Sequence, residues 1–413
     1  VRGYKGLHYQ NVNNLLGADA YIDNFDVNNP NRTLYSTYST YAPWNVFKDT
    51  DKEEKINFNN DGDVRWYGGF TQLEYSNDKF TAFVQGAISQ QGFKRVDYFK
   101  YLSTDPLSST DYENIVGGNV KGGINYNINE HHNIFVNSGY YSKQPFFNAV
   151  YPNNASLVNG NLTNEKIFGL EAGYGLRTSK FSANVNLYRT SWKDRYQRQN
   201  DGAADNPGGY YDFAGITEIH SGIEIDGTAK VLDKLTITGM LSIGDWQYEG
   251  TSTSNRYDSG NNPIGGGTPT TLYLDGVRVG DAAQTTAALG ATYEILPRFT
   301  VDANYNYVDK LYAQISPGNF TKEDNRGALQ LPSYGTADAG LSYKLLVGKN
   351  KSNSVGFRLN VNNVFDYTYI AEAKTNIFAA DVPTVSTYKG IATTNQVYFG
   401  FGRTWNFALR YDF

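Results

Sequence analysis

Apolar and polar residues alternate one by one along most of this chain. In FTVDANYNY, Phe299, Val301, Ala303, Tyr305 and Tyr307 fall on one side of an extended strand, and Thr300, Asp302, Asn304 and Asn306 on the other. SVGFRLNV sets Val355, Phe357, Leu359 and Val361 against Gly356, Arg358 and Asn360 in the same way. The ending RTWNFALRYDF puts Trp405, Phe407, Leu409, Tyr411 and Phe413 opposite Asn406, Ala408, Arg410 and Asp412. Strands of a soluble β-sandwich average about 5 to 6 residues, whereas this alternation runs for about ten or more at a stretch.

The strands come in pairs. VRWYGGFTQLEYS and FTAFVQGAIS are joined by NDK, IVGGNVKGGINYNI and NIFVNSGYYS by NEHH, and EKIFGLEAGYGLR and FSANVNLYRTSW by TSK. LDK joins GIEIDGTAKV to LTITGMLSIGDWQY, LPR joins TAALGATYEI to FTVDANYNYV, and VGKNKSN joins TADAGLSYKLL to SVGFRLNVNNVF. A lone last strand closes the series. Long polar segments separate the pairs, near residues 98–113, 144–163, 197–215, 249–281, 313–333 and 365–395. Compact soluble domains rarely carry loops longer than about 12 to 15 residues, whereas outer-membrane barrels alternate short periplasmic turns with long extracellular loops. The pattern predicts an all-β chain, a transmembrane antiparallel up-and-down β-barrel with about 13 to 14 visible strands. Residues 1–62 are expected to form a first strand and a long extracellular loop, and 63–413 the barrel strands. Glu171 and Glu294 fall on polar faces. Such a sheet must pair every backbone group, which places Phe413 in an aromatic girdle at the periplasmic edge.

Composition sharpens this reading. Aromatic residues make up 15% of the 413, with 34 Tyr, 23 Phe and 42 Gly, a mixture that favours strands and turns over helices. No run of about 18 apolar residues exists, so a membrane-spanning helix is excluded but a barrel is not. Cysteine is absent, which removes disulfides, thiol catalysis and cysteine-bound zinc. A net charge of −5 leaves no basic run for nucleic acid. The opening VRGYKGLHYQ has no apolar core of the kind a secretory leader carries.

Candidate chemistry is sparse. There is no His-Glu-x-x-His, Gly-x-Ser-x-Gly or phosphate-loop motif, so no catalytic residues and no cofactor are expected. NFNNDGDV places Asn57, Asn59, Asp61 and Gly62 at calcium-loop spacing, but Gly68 stands where the closing Glu belongs, so a plain turn is favoured. His131 and His132 share a short turn with no third ligand beside them, so no metal site is expected. Phe146, Phe147, Tyr151, Tyr210, Tyr211, Trp246 and Tyr273 sit at strand tops or in long loops, as an aromatic girdle or as a ligand platform. Arg65, Glu74, Asp338, Arg358 and Arg410 are expected to face the lumen, tuning an open pore or bonding a plug.

NVNNVFDYTYIAEA together with FGRTWNFALRYDF resembles the closing region of TonB-dependent outer-membrane transporters. In that family a penultimate strand enters an Asn-Leu-Phe-Asp turn followed by Tyr, matched here by Asn363, Val364, Phe365, Asp366 and Tyr369. GYYSKQPFFNAVYPNN and NLYRTSWKDRY resemble mid-barrel segments of the same family. The resemblance implies a barrel of about twenty-two strands, a plug and a TonB-contacting box, so the chain is expected to be the C-terminal part of a longer polypeptide. It also implies uptake of a scarce ligand across a Gram-negative outer membrane, a metal chelate, cobalamin, glycan or peptide, energised through TonB and its inner-membrane complex. Tyr411 and Phe413 resemble the signal shown to the barrel-assembly machinery. Outer-membrane lipids are expected partners, and a surface lipoprotein has no residue signature. Two alternatives stay open: a passive porin of about fourteen strands, and a non-transporting barrel component of an outer-membrane assembly.

Overall fold

The computed structural model describes residues 1–35, 37, 55–160, 162–201, 203–260, 262–265, 269–315 and 317–413. Antiparallel strands follow one another around a single sheet in chain order. They are Arg2–Asn11, Lys55–Ser76, Phe80–Asp97, Glu113–Asn127, His132–Lys143, Glu165–Arg177 and Phe181–Asn200, then Tyr210–Leu232, Leu235–Tyr248, Thr285–Leu296, Phe299–Asp309, Tyr334–Val347, Asn353–Asn362 and Thr404–Asp412. Two further strands, Thr251–Tyr257 and Thr270–Tyr273, form a hairpin that pairs with the upper part of Tyr210–Leu232. The predicted all-β meander is therefore the observed one, and among the described residues no helix is long and apolar enough to cross a membrane. Among the described residues no pairing joins Arg2–Asn11 to Thr404–Asp412.

The tight turns form where side chains satisfy the reversing backbone. Asn77 Oδ1 accepts from the amides of Lys79 and Phe80 at 3.0 and 2.8 Å, and Asn129 Oδ1 does the same for His131 and His132 at 2.9 and 3.0 Å. Thr178 Oγ1 accepts from Phe181 N at 3.0 Å. The two histidines are held within their turn region, with His132 Nδ1 2.5 Å from the Tyr174 hydroxyl and His131 Nδ1 3.0 Å from the Arg177 carbonyl.

Register carries one face around the whole sheet. Leu359 lies opposite Leu341 and Phe407, and Val361 opposite Ala339 and Trp405. Leu73, Val84, Ile88, Val120, Val136 and Leu289 stand on the same apolar face, with Leu73 71% and Ile88 66% exposed. Apolar surface this open on every strand is a face built for a hydrocarbon surround. Asp302, Asn304, Asp338 and Asn360 line the opposite face, where Arg358 holds Asp302 with both terminal nitrogens and donates from Nε to Asn360 at 2.6 Å.

The closing motif owes its residues to one turn. Asn363, buried with φ 47°, donates to the Tyr367 carbonyl and accepts from Tyr367 N, both at 2.9 Å, while its own amide bonds Asp338 at 2.8 Å. Asp366 accepts from Arg403 N at 2.7 Å, and Tyr369 stacks on Tyr334 with ring centres 4.0 Å apart. These bonds tie the start of the last long loop to its return.

Several strands outrun the sequence reading. Lys55–Ser76 begins upstream of Val64, and Asn57 to Gly62 lie inside it rather than in a turn, with Asn57 at φ 60° where the register shifts. The loop expected over 197–215 shrinks to 201–209, because Phe181–Asn200 and Tyr210–Leu232 continue above the barrel through two bulges, one near Asp194 (φ 57°) and one near Gly215 (φ 70°). Arg65 corrects an expectation: it shares its strand face with Tyr67 and Leu73, opposite Gly92, and so stands on the outer side. There its guanidinium lies 4.3 Å from the Tyr112 ring centre and 3.7 Å from Asp63. Alternation cannot reveal this, since the apolar belt ends at Tyr67 and charges occupy both faces beyond it.

A charge placed in the apolar face tests the assignment. Val185→Arg is expected to cost about 2–4 kcal/mol, and Asn186→Arg on the opposite face less than about 1 kcal/mol, in urea titrations of the full-length protein folded in lipid vesicles.

Candidate functional site

Buried apolar residues gather at the strand tops and in the long connections. Phe213, Ile216, Tyr248, Leu272, Leu274, Val277, Ile315 and Phe320 form one core, built from strand tops and the segments 249–281 and 313–333. A second joins Leu311, Leu331, Ile370 and Ile391, and a third packs Phe93 against Val150 and Tyr151. Each is small, but together they turn loops that would otherwise fray into walls around the mouth of the barrel.

Between these walls lies a cleft of roughly 420 Å³, lined by Phe146, Arg195, Gln197, Glu218, Tyr248 and Asp281 among others. The bulge at Asp194 sets its floor, because the extra residue turns Arg195 to the same side as Glu218. Glu218 is 1% exposed and lies between the Arg195 guanidinium and His220 Nε2, the latter 3.2 Å away. His220 stacks on Trp246 at 5.2 Å, and Trp246 Nε1 donates to the Tyr188 hydroxyl at 2.8 Å. On one wall Gln314 donates to Asp281 at 2.6 Å. The cleft thus offers a guanidinium fixed by a buried carboxylate, several amides and an aromatic edge. It suits a polar ligand rich in oxygen acceptors, held without any covalent step.

The sequence-predicted aromatics divide. Phe146 reaches the cleft, 61% exposed, with Lys143 Nζ 4.0 Å from its ring centre. Phe147 packs on Phe93 and Gly62. Tyr151 is buried, its hydroxyl 2.9 Å from Thr110 Oγ1 and 3.1 Å from the Phe93 carbonyl. Tyr210 is buried in a stack with Tyr257, Tyr211 flanks the largest core, Trp246 is occupied by His220, and Tyr273 pairs with Thr251 in the upper hairpin. Only Phe146 of the seven lines the cleft. Among the lumen candidates Glu74, Asp338, Arg358 and Arg410 stand on the polar face. Asp338 binds Asn306 and the Asn363 amide at 2.9 and 2.8 Å, and Arg410 donates to Asp412 at 2.6 Å. Tyr411 faces outward opposite Val355, and Phe413 follows with its ring 6.2 Å from that of Tyr411.

The architecture coincides with a known one: the family described as TonB dependent receptor-like, beta-barrel, matches residues 2–364. The chain belongs to that family. A probable TonB-dependent siderophore receptor, PiuA of Acinetobacter baumannii, is 24% identical over 264 residues, which is 63% of this chain and 32% of PiuA. Among solved structures, PiuA superposes with a TM-score of 0.57 at 18% identity over 85% of this chain and 43% of its own, and the ferric-catecholate import receptor Fiu from E. coli K12 with 0.57 at 16% identity over 99% and 50%. The ferric citrate transporter FecA superposes with 0.58 at 13% identity over 88% and 47%. These likenesses show the fold, and the chain spans half or less of the length of each of these proteins. The family is one of outer-membrane transport receptors, not of enzymes.

In this TonB-dependent barrel, Arg195, Gln197, Glu218, Tyr248 and Asp281 escaped sequence reasoning. The usable signal was a run of alternation that continued past Trp192 into RYQRQN and turned polar on both faces. Beside the cleft, Asp212 stands twenty residues from the short turn at Leu232, well beyond any bilayer. It is 8% exposed, and among the described residues neither its Oδ1 nor the neighbouring Tyr196 hydroxyl has a hydrogen-bond partner. Burial pushes its carboxyl up to about 6 despite the neighbouring Arg198. A carboxyl raised on folding makes the folded state bind the extra proton, so stability contributed there falls as pH rises from about 4 to about 6. Asp212→Asn is expected to slow hydrogen exchange of the Tyr210–Ala214 amides at pH 7, by up to about 3 kcal/mol of local stability, and to have no such effect at pH 4.

Proposed function

We propose that this chain is the C-terminal barrel portion of a TonB-dependent transporter that imports a metal chelate. Family membership carries the transport reading, and the cleft carries the ligand class. A held guanidinium among amides and one open aromatic suits the anionic, oxygen-rich surface of a chelate better than an apolar substrate. The names of the similar proteins support the same class, a siderophore for PiuA, a ferric catecholate for Fiu and ferric citrate for FecA. On this reading Arg2–Asn11 and Thr404–Asp412 pair on their outer edges with strands of the longer polypeptide, whose plug fills the lumen against Arg358, Asp302 and Asp338. The passive pore finds less support, because the family is one of transport receptors and Arg358 and Asp302, both facing the lumen, hold each other.

Uptake decides between them. Cells making the full-length protein as their sole receptor of this kind are expected to accumulate radiolabelled ferric chelate only with TonB present and the proton-motive force intact. Accumulation that continues after collapse of that force would point to a pore. Arg195→Ala combined with Glu218→Gln, so that no carboxylate is left buried and unpaired, is expected to weaken chelate binding about tenfold or more, measured by titration of the purified receptor.

A further inference from the structure

The apolar outer face is interrupted at one place. Strands Glu165–Arg177 and Phe181–Asn200 turn Lys166, Arg189 and Lys193 outward, on the face that carries Phe168 and Leu170 among them and Leu187 below. Lys166 and Lys193 are directly opposite each other, an arrangement that is unfavourable unless anions compensate. Asp194 supplies one, at 2.7 Å from Lys166. The nearby Asp245 on this face is taken by Arg278. Lys193 is exposed and makes no ion pair among the described residues, and the exposed Arg189 has only the Ser221 hydroxyl, at 3.1 Å. Three outward cations therefore meet one carboxylate.

Height places them. Arg189 is eight residues beyond the short turn at Phe181 and Lys193 twelve. With about 3.3 Å per residue and a tilt near 40°, they stand about 20 and about 30 Å above it. The apolar band of such barrels is about 25 Å tall, so the cations straddle its upper boundary, where lipid headgroups begin. Leu170 stands opposite Arg189 and Phe168 opposite Ser191, between the two levels, while Leu187 lies below all three cations, where acyl chains would lie.

We propose that Lys166, Arg189 and Lys193 form a docking site for the phosphate groups of a phosphorylated glycolipid of the outer leaflet. The site goes beyond the transport reading and rests only on its outer-membrane placement. Arg189 offers a planar fork to one phosphate and Lys193, about 10 Å higher, a point charge to another, while Lys166 is shared with Asp194.

Native mass spectrometry of the full-length protein in detergent, with diphosphoryl lipid A and its dephosphorylated form as probes, tests this. Wild type is expected to retain diphosphoryl lipid A in preference to the dephosphorylated form, and Arg189→Gln with Lys193→Gln to lower that retention about thirtyfold. Lys79→Gln with Lys180→Gln at the short turns is expected to change nothing. Heat-modifiable migration of each variant confirms a folded barrel, and the single Lys193→Glu variant, expected to lose lipid A as well, serves if the double variant does not fold. Unchanged retention by the folded patch variants, equal binding of both glycolipids, or a dimer of the protein occupying this face would overturn the proposal. A full-length barrel that does not insert into vesicles would overturn both this site and the outer-membrane reading beneath it.

Discussion

Every backbone amide and carbonyl that enters hydrocarbon must find its partner within the protein. That constraint accounts for the main features of this chain. It demands one continuous sheet, and each of the fourteen strands on its main path pairs with the next such strand from Arg2–Asn11 to Thr404–Asp412. It also removes the usual reason for an interior core. The side chains of the membrane-spanning stretches face either lipid or lumen, so the buried apolar clusters described lie at strand tops and in the loops above them, which return to water and must stabilise themselves.

The cleft follows from what happens when strands run on past the apolar band without ending. Phe181–Asn200 and Tyr210–Leu232 continue upward, where both faces meet protein and water instead of lipid and lumen. Strict alternation is no longer enforced there, so a bulge at Asp194 becomes tolerable, and it is this bulge that turns Arg195 onto buried Glu218. A lone buried carboxylate would be costly; paired with a guanidinium and a stacked imidazole it becomes a rigid support for the cleft. Rigidity of that sort favours selective binding, because less ordering is left to occur when a ligand arrives.

The short-turn end and the long-loop end obey different rules for the same reason. Short turns need only reverse a strand, and Asn77, Asn129 and Thr178 each do so with one side-chain acceptor. Long loops must assemble walls, and they recruit Tyr151, Tyr210 and Tyr211 as structural members. Aromatic residues that look like a ligand platform in the sequence are thereby mostly consumed in holding the platform up.

The amino-acid sequence alone determined the strand pairs, their order, the tight turns and the face each residue takes inside the apolar band. All of these depend on contacts between near neighbours in the chain and on a period of two that lipid enforces at every step. The motif around Asn363 was legible too, since its bonds close within a few residues or onto the adjacent strand. Tertiary structure decided the rest. Arg65 faces outward because it lies past the end of the belt, where polarity no longer reports orientation. The cleft joins residues near 146, 195, 218, 248, 281 and 314, distant along the chain and brought together by bulges and loop packing. No local pattern encodes that meeting, because the interactions that hold it are made between segments that only the closed-up loops place in contact.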